Sequence, residues 1–84
     1  QGYASEAARQ VLAYSFASTP NGLGFDEVIS FTAATNERSQ QVMKAIGMTH
    51  DAEGDFEHPG VPESSPLRPH VLYRIAAGRY RSMA

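Results

Sequence analysis

The feature that most constrains the fold is a run with strand character between two segments with helical spacing. The run is residues 25–33, Phe-Asp-Glu-Val-Ile-Ser-Phe-Thr-Ala, in which β-branched and aromatic residues predominate. Both alternating sets of side chains are largely apolar or small, which predicts a strand buried on both faces. Apolar residues recur every three or four positions over residues 3–17 and again over residues 39–46. The order helix, strand, helix predicts an α/β fold.

Glycines and prolines divide the rest of the chain. Gly47 stands where a helix is expected to end with a residue in the left-handed conformation. Residues 48–51 begin a second strand, and residues 70–76 form a third strand that we expect to be antiparallel to it. The segment between them holds four of the five prolines, so it is predicted to be a long surface loop of the kind that often binds ligands. No usable pattern follows Gly78, and residues 78–84 are assigned to a C-terminal tail.

Composition excludes several classes of partner and site. At 84 residues the chain is long enough for one domain, and its net charge of −2 supplies no basic face for nucleic acid. No apolar run approaches 18 residues, so no membrane association is predicted. The absence of cysteine excludes thiolate ligands and fits a cytoplasmic protein. The three histidines match no zinc spacing, so no metal site is predicted.

Three residues lie at or near the predicted starts of the helices, and residue type suggests ligand chemistry for two of them, Gly2 and Ser39. Gly2 leads directly into a helix whose first N–H groups could bind an anion, although any helix start has this property. Asn36 is placed to cap the second helix. Ser39 lies on the same stripe as Val42 and Met43, so its hydroxyl faces either the core or a ligand. The alternative for Ser39 is a buried serine that hydrogen bonds to the backbone.

The motifs in this order resemble those of GNAT N-acetyltransferases of the RimJ/RimL-like type. The resemblance rests on residues 2–8 (Gly-Tyr-Ala-Ser-Glu-Ala-Ala), residues 32–39 (Thr-Ala-Ala-Thr-Asn-Glu-Arg-Ser) and residues 42–48 (Val-Met-Lys-Ala-Ile-Gly-Met). Residues 55–59 and 66–74 resemble the final loop and strand of bacterial members. The match corresponds to the C-terminal half of that fold. It implies a partial acetyltransferase domain over residues 1–77, with helix, strand, helix, strand, strand and a mixed sheet, and with the N-terminal half absent.

The resemblance implies acetyl-CoA as cosubstrate and a primary amine as acceptor. It implies that Gly2, Tyr3 and Ala4 contribute to the pyrophosphate site, and that Asn36 hydrogen bonds to the pantetheine arm. Ser39 is implied to contact the CoA sulfur. Many relatives carry a tyrosine as the acid where this chain has Met43, so we expect the Ser39 hydroxyl to stabilise the developing thiolate as a hydrogen-bond donor.

Two residues near the C-terminal strand are candidates for binding the amine acceptor. His58, in the proline-rich loop, is the best of the three histidines for binding the acceptor, and the alternative is a histidine with a structural role in the loop. Arg68 is available for an acidic acceptor group or for a pair with Glu57 or Glu63. We expect the isolated chain to be inactive because one wall of the site is missing. The alternative is a non-catalytic fragment that self-associates as a homodimer, since a half-domain leaves a sheet edge and an apolar face uncovered.

Overall fold

A computed structural model describes residues 2–83 of the chain and the side chains of residues 4–83. In this range two helices alternate with short strands, and the chain ends with two antiparallel strands followed by a final helix. The elements are α1 (Gly2–Phe16), β1 (Glu27–Ala33), α2 (Glu37–Ala45), β2 (Thr49–His50), a single 3-10 turn (Ala52–Gly54), β3 (Phe56–Glu57), β4 (Pro69–Ala76) and α3 (Ala77–Met83). The α/β class predicted from the sequence is confirmed.

Strand β4 lies in the middle of the sheet. The order is β1-β4-β2, with β3 also paired to β4, and the three described pairings are antiparallel. The antiparallel arrangement of the second and third predicted strands is thereby confirmed. Because β1 and β2 are both antiparallel to β4, they run in the same direction, as expected of a strand–helix–strand unit. The sequence predicted a mixed sheet. In the structure β1 and β2 are parallel to each other, but β4 lies between them, so each described pair of neighbouring strands is antiparallel.

The boundaries of α2 follow from its caps. Asn36 is the N-cap, and its side-chain oxygen accepts a hydrogen bond from the Ser39 N–H at 3.1 Å, which satisfies one free donor of the first turn. After the helix, Gly47 has φ +98°, a conformation that residues with a Cβ rarely adopt. A Cβ at Gly47 would also overlap the side chain of Met83 in α3. The predicted cap and helix end are both confirmed.

The core lies between the helices and one face of the sheet. Val28, Tyr73 and Ile75 face the helices from β1 and β4, and Tyr73 and Ile75 are each 1% exposed. The buried cluster comprises Leu12, Phe16, Met43, Ile46, Met48, Tyr73, Ile75 and Ala77.

The prediction that β1 is buried on both faces is wrong for the described chain. Ile29 is 54% exposed and Phe31 is 52% exposed, because α1 and α2 both pack on the opposite face of the sheet. The residue types that suggested two buried faces therefore leave one face of β1 open to solvent.

The C-terminal segment is a helix, although the sequence offered no pattern there. In α3 the ring of Tyr80 lies 4.9 Å from that of Phe16 in α1, and Arg79 Nε donates to the Gly47 carbonyl at 3.0 Å. A seven-residue helix is too short to show periodicity, and these contacts join residues far apart in sequence. Residues 78–83 of the predicted tail are therefore helical, and Tyr80 packs against the core.

Substitution of the most deeply buried aliphatic residue tests the position of the core. We expect Ile75→Val to lower the free energy of unfolding by about 1 kcal/mol, because it removes a methylene group from a packed site. Ile29→Val, the same change at an exposed position of the neighbouring strand, should have less than half that effect. Urea unfolding of the 84-residue chain measures both, and equal losses would contradict the assignment of the buried face.

Candidate functional site

An apolar cleft of about 410 Å³ lies between α1, β1 and α2. In the described sheet β1 pairs only with β4, so its other edge borders this cleft. Val28 and Ile29, which belong to opposite faces of β1, both line the cleft, so the cleft borders the edge of the strand. The helices contribute small and branched side chains, among them Ala8, Val11 and Val42.

Ser39 is the hydroxyl that α2 places on the wall of the cleft. It is half-buried, and among the described side chains its Oγ makes no hydrogen bond to a backbone carbonyl. Ser15 shows the contrasting arrangement: it is buried in α1, and its Oγ donates to the Val11 carbonyl at 2.8 Å. The geometry of Ser39 is therefore that of a donor whose hydroxyl is available to a ligand in the cleft.

Asn36 lies one turn before Ser39 and is exposed. Its Oδ1 is occupied by the Ser39 N–H, so its amide NH₂ is the group that remains to donate to a ligand. The cap therefore fixes the orientation of the Asn36 side chain while leaving a polar donor at the start of α2. The contact with pantetheine stays a prediction.

The predicted pyrophosphate site falls at the start of α1. The helix begins at Gly2, and its first turn carries no acidic residue, so no carboxylate there opposes an anion. The side chain of Tyr3 lies outside the described residues. Ala4 is exposed and lines the cleft, which places the start of α1 and the Ser39 wall on one continuous surface.

The two acceptor candidates lie away from the cleft, in the segment that follows β3. Arg68 Nε donates to Glu57 Oε1 at 2.8 Å, and Arg68 also donates to the Val61 carbonyl. Of the two partners that the sequence suggested for Arg68, the structure selects Glu57. His58 Nδ1 accepts a hydrogen bond from the Gly60 N–H at 3.0 Å. Neither side chain lines the cleft beside Ser39, so the structure does not bring the two groups of candidates into one pocket.

Sequence reasoning missed Gln40, which locks α2 onto the sheet. Tyr73 OH donates to Gln40 Oε1 at 3.0 Å, and Gln40 Nε2 donates to the Ala34 carbonyl at 2.8 Å. The Tyr73 contact spans 33 residues of sequence, so no local signal could have revealed it. Gln40 is adjacent to Ser39 and therefore positions the first turn of α2 over β4.

Electrostatic contacts hold the other end of the sheet. Arg74 donates to Glu27 Oε1 at 3.0 Å and to Asp51 Oδ2 at 2.8 Å, and these hydrogen bonds raise the pKa of the Arg74 guanidinium. The charge of Arg74 is balanced by these two carboxylates, which join β1, β4 and the end of β2.

Asp55 forms a second such contact. The Leu72 N–H donates to its carboxylate at 3.0 Å, and His50 Nε2 lies 2.9 Å from both oxygens. These donors, the Leu72 N–H above all, lower the pKa of Asp55 below its ordinary value. The carboxylate therefore anchors the 3-10 turn to β4.

Comparison with known proteins agrees with this geometry. The family model described as the acetyltransferase (GNAT) domain matches residues 1–49, which include α1, β1 and α2 with the whole cleft lining.

The chain belongs to the GNAT acetyltransferase family.

Two relatives that are more than 30% identical to the chain support its assignment to the GNAT family. The chain is 44% identical over 83 residues to the FsC-acetyl coenzyme A-N(2)-transacetylase of Aspergillus fumigatus, a match that covers 99% of this chain and 33% of that protein. It superposes on a GNAT-family acetyltransferase from Bacillus anthracis with a TM-score of 0.70 at 31% identity, covering 92% of this chain and 42% of the other.

A third comparison bears on the fold alone. Mutant forms of the spermidine/spermine N-acetyltransferase SpeG from Vibrio cholerae give a TM-score of 0.75 at 19% identity, over 99% of this chain and 46% of the other. This GNAT chain thus spans about a third of the curated relative and under half of these solved structures.

Among the described residues there is neither a membrane-spanning helix nor a cluster of metal ligands. No described helix is long and apolar enough to cross a membrane. Between residues 4 and 83, no group of three or more histidine, aspartate or glutamate side chains is arranged to hold a metal ion.

The lowered pKa of Asp55 predicts a specific acid sensitivity. A carboxylate whose pKa is lower in the folded than in the unfolded protein contributes to the free energy of unfolding. This contribution is fully present above the pKa of the unfolded state, 3.8, and is lost as pH falls through the lower pKa of the folded state. We expect Asp55→Asn to reduce the free energy of unfolding at pH 7 and to lose less of it than the wild type between roughly pH 5 and pH 2. Urea unfolding across this range measures the difference.

Glu63→Gln, which neutralises an exposed carboxylate in the loop, is the matched control and should follow the wild-type profile. Parallel acid profiles for the wild type and Asp55→Asn would rule out the proposed role of Asp55.

Proposed function

We propose that this GNAT chain is part of an N-acetyltransferase that transfers an acetyl group from acetyl-CoA to a primary amine. The observation that carries the proposal is the apolar cleft along the open edge of β1, with the Ser39 hydroxyl on its wall. An apolar slot with few polar groups suits a flexible thioester arm, because the polar groups can then set orientation at defined points. Family membership supports the same chemistry.

The described residues fit acetyl-CoA at several points. Backbone N–H groups at the start of α1, from Gly2 to Ala4, would hold the pyrophosphate, since that turn lacks acidic residues. The Asn36 amide would donate to a pantetheine carbonyl, because its oxygen already serves as the N-cap. Bound acetyl-CoA supplies an activated acyl group, so the protein's own task is positioning and electrostatic stabilisation.

Ser39 acts at the leaving group in this proposal. A neutral amine attacks the thioester carbonyl, a C–N bond forms, the C–S bond breaks and negative charge develops on sulfur. The Ser39 hydroxyl stabilises that charge as a hydrogen-bond donor, because a hydroxyl is too weak an acid to be the main proton source. Met43 stands one turn further along α2, within the buried core, and supplies no proton.

Three further proposals concern the part of the domain that the chain represents, its cellular location and its acceptor. From the resemblance of its motifs we further propose that the chain corresponds to the C-terminal half of a GNAT domain of the RimJ/RimL-like, bacterial type. The coverage of less than half of the solved relatives supports only a partial domain. In that case the missing N-terminal half completes the cleft, and the isolated chain is inactive. The cysteine-free composition supports a cytoplasmic location. The fungal relative's name denotes transfer to an N(2) amine and SpeG acts on polyamines, so the acceptor class lies among amines.

Self-association is the second candidate, and the exposed apolar residues around β1 favour it. Val11, Ile29 and Phe31 are each more than half exposed, and the free edge of β1 can pair with another strand. In this reading the 84-residue chain covers these surfaces with a second copy, and the pairing has no catalytic role.

Removal of the Ser39 hydroxyl tests the catalytic proposal. In the full-length protein, Ser39→Ala should lower kcat by roughly ten- to a hundredfold, while the Kd for CoA changes less than threefold, because the hydroxyl acts when charge develops. CoA release from acetyl-CoA with a panel of primary amines measures kcat. Ser64→Ala, at an exposed loop position, is the control and should match the wild type. An unchanged kcat would remove Ser39 from the mechanism.

Sedimentation equilibrium separates the two candidates for the isolated chain. If the exposed face of β1 drives pairing, the 84-residue chain should sediment as a dimer at micromolar concentration, and Phe31→Asp should return it to a monomer. Leu67→Asp, which changes an equally exposed residue in the loop, should leave the dimer intact. A wild-type monomer throughout the micromolar range would exclude self-association.

A further inference from the structure

Four rings form a cluster on the sheet face that the helices leave open. The cluster, named here the aromatic patch, consists of Phe31 from β1, Phe56 from β3, His70 from β4 and His58 from the adjoining loop. Ring centroids lie 5.4 Å apart for Phe31 and Phe56, 5.4 Å for Phe56 and His70, and 5.0 Å for His58 and His70. Phe31 is half exposed and both imidazoles are partly exposed, so the patch is open to a ligand.

Backbone contacts determine the tautomers of the two histidines. His70 Nδ1 lies 3.1 Å from the Arg68 carbonyl, and since a carbonyl only accepts, Nδ1 must carry the proton. A neutral His70 therefore presents an unprotonated Nε2. His58 has the opposite arrangement, because its Nδ1 accepts from the Gly60 N–H and its Nε2 carries the proton. Of the two rings, His70 is the one prepared to take a proton.

We propose that His70 Nε2 accepts the proton of the amine acceptor and that the aromatic patch binds the acceptor's apolar skeleton. This inference rests on the proposed acetyl transfer and adds its proton acceptor and its acceptor class. The sequence favoured His58 for the acceptor side; the tautomers reverse that preference for proton transfer. His58, as a donor at Nε2, contributes binding.

The register of the sheet places His70 beside the end of β1 that leads into α2. His70 pairs with Ala33, the last residue of β1, and the Ala34 N–H donates to the Pro69 carbonyl at 2.8 Å. Only one residue, Thr35, separates Ala34 from Asn36, the cap of the helix that carries Ser39. His70 and the first turn of α2 thus flank the same end of the sheet. In this proposal an amine on the patch reaches the thioester around the free edge of β1.

The charges beside the patch favour an apolar monoamine over a polyamine. A polyamine carries several ammonium groups and needs free carboxylates. Glu57, next to Phe56, is paired with Arg68 at 2.8 Å, and Asp55 is paired with His50 at 2.9 Å. The groups that the described patch offers are aromatic faces, which attract a single ammonium group and bind a flat or apolar skeleton.

The proton balance of the step is complete without another reagent. The bound ammonium gives one proton to His70 Nε2, which later releases it to solvent. The neutral amine then forms the C–N bond, the C–S bond breaks, and the second amine proton passes to the thiolate. The products are an amide and CoA. The titratable groups beside His70 are His58 and the Arg68–Glu57 pair, in which the two charges balance.

Kinetics of the full-length protein with phenethylamine and spermidine test this inference. His70→Asn keeps an N–H for the Arg68 carbonyl but removes the base. We expect it to lower kcat by about 10²–10⁴-fold and to move the acid limb of the kcat/KM profile to higher pH, where the amine deprotonates unaided. A merely structural role for His70 would leave that limb in place. His50→Gln, which keeps the donor to Asp55, should retain wild-type kcat and profile. Phenethylamine should exceed spermidine in kcat/KM at least tenfold.

Nitrogen NMR of the wild-type histidines provides a second measurement that needs no variant. Neutral His70 should show a protonated Nδ1 and an unprotonated Nε2, and the reverse would overturn the proposal. So would a wild-type acid limb in His70→Asn, or a preference for spermidine. Absence of CoA release with both amines would also overturn it, while the Ser39→Ala assay on the wider amine panel decides the proposed function separately.

Discussion

The structure depends on the central position of β4, which pairs with each of the other described strands. Tyr73 and Ile75 on this strand form the floor of the core, and Tyr73 OH also holds α2 through Gln40. A strand paired on both edges has its backbone groups satisfied, so it can serve as a fixed reference for the elements around it. The positions of Asn36 and Ser39 follow from that attachment, because both lie within one turn of Gln40.

The two faces of the sheet then divide the chemistry between them. The helix face carries the apolar cleft and Ser39, while the opposite face carries the aromatic patch and His70. The free edge of β1 lies between the two faces and borders the cleft. The final residue of β1, Ala33, pairs with His70. In the proposed reaction the acyl donor and the amine acceptor approach β1 from opposite faces of the sheet, and the protein's task is to hold the amine and the thioester in line for direct attack.

Local sequence chemistry predicted the parts of this arrangement that local forces determine. The Asn36 cap and the Gly47 helix end were correct because each depends on backbone groups within four residues. The strand pairing that places His70 beside Ala33, the Tyr73–Gln40 hydrogen bond and the packing of α3 were not predictable, since each joins distant residues. Composition misled for β1, where Ile29 and Phe31 suggested burial that the described chain does not supply. The choice between Glu57 and Glu63 for Arg68 also needed three dimensions.

The central claim is that the cleft between α1, β1 and α2 receives the thioester arm, so that Ser39 meets the leaving sulfur. It unites the free edge of β1, the available Ser39 hydroxyl and the capped start of α2 in one account. The most direct measurement is a crystal structure of the full-length protein bound to CoA. The account predicts a CoA sulfur within hydrogen-bond distance of Ser39 Oγ, with the pantetheine arm along the edge of β1. A cleft filled by protein side chains, with CoA bound elsewhere, would contradict it.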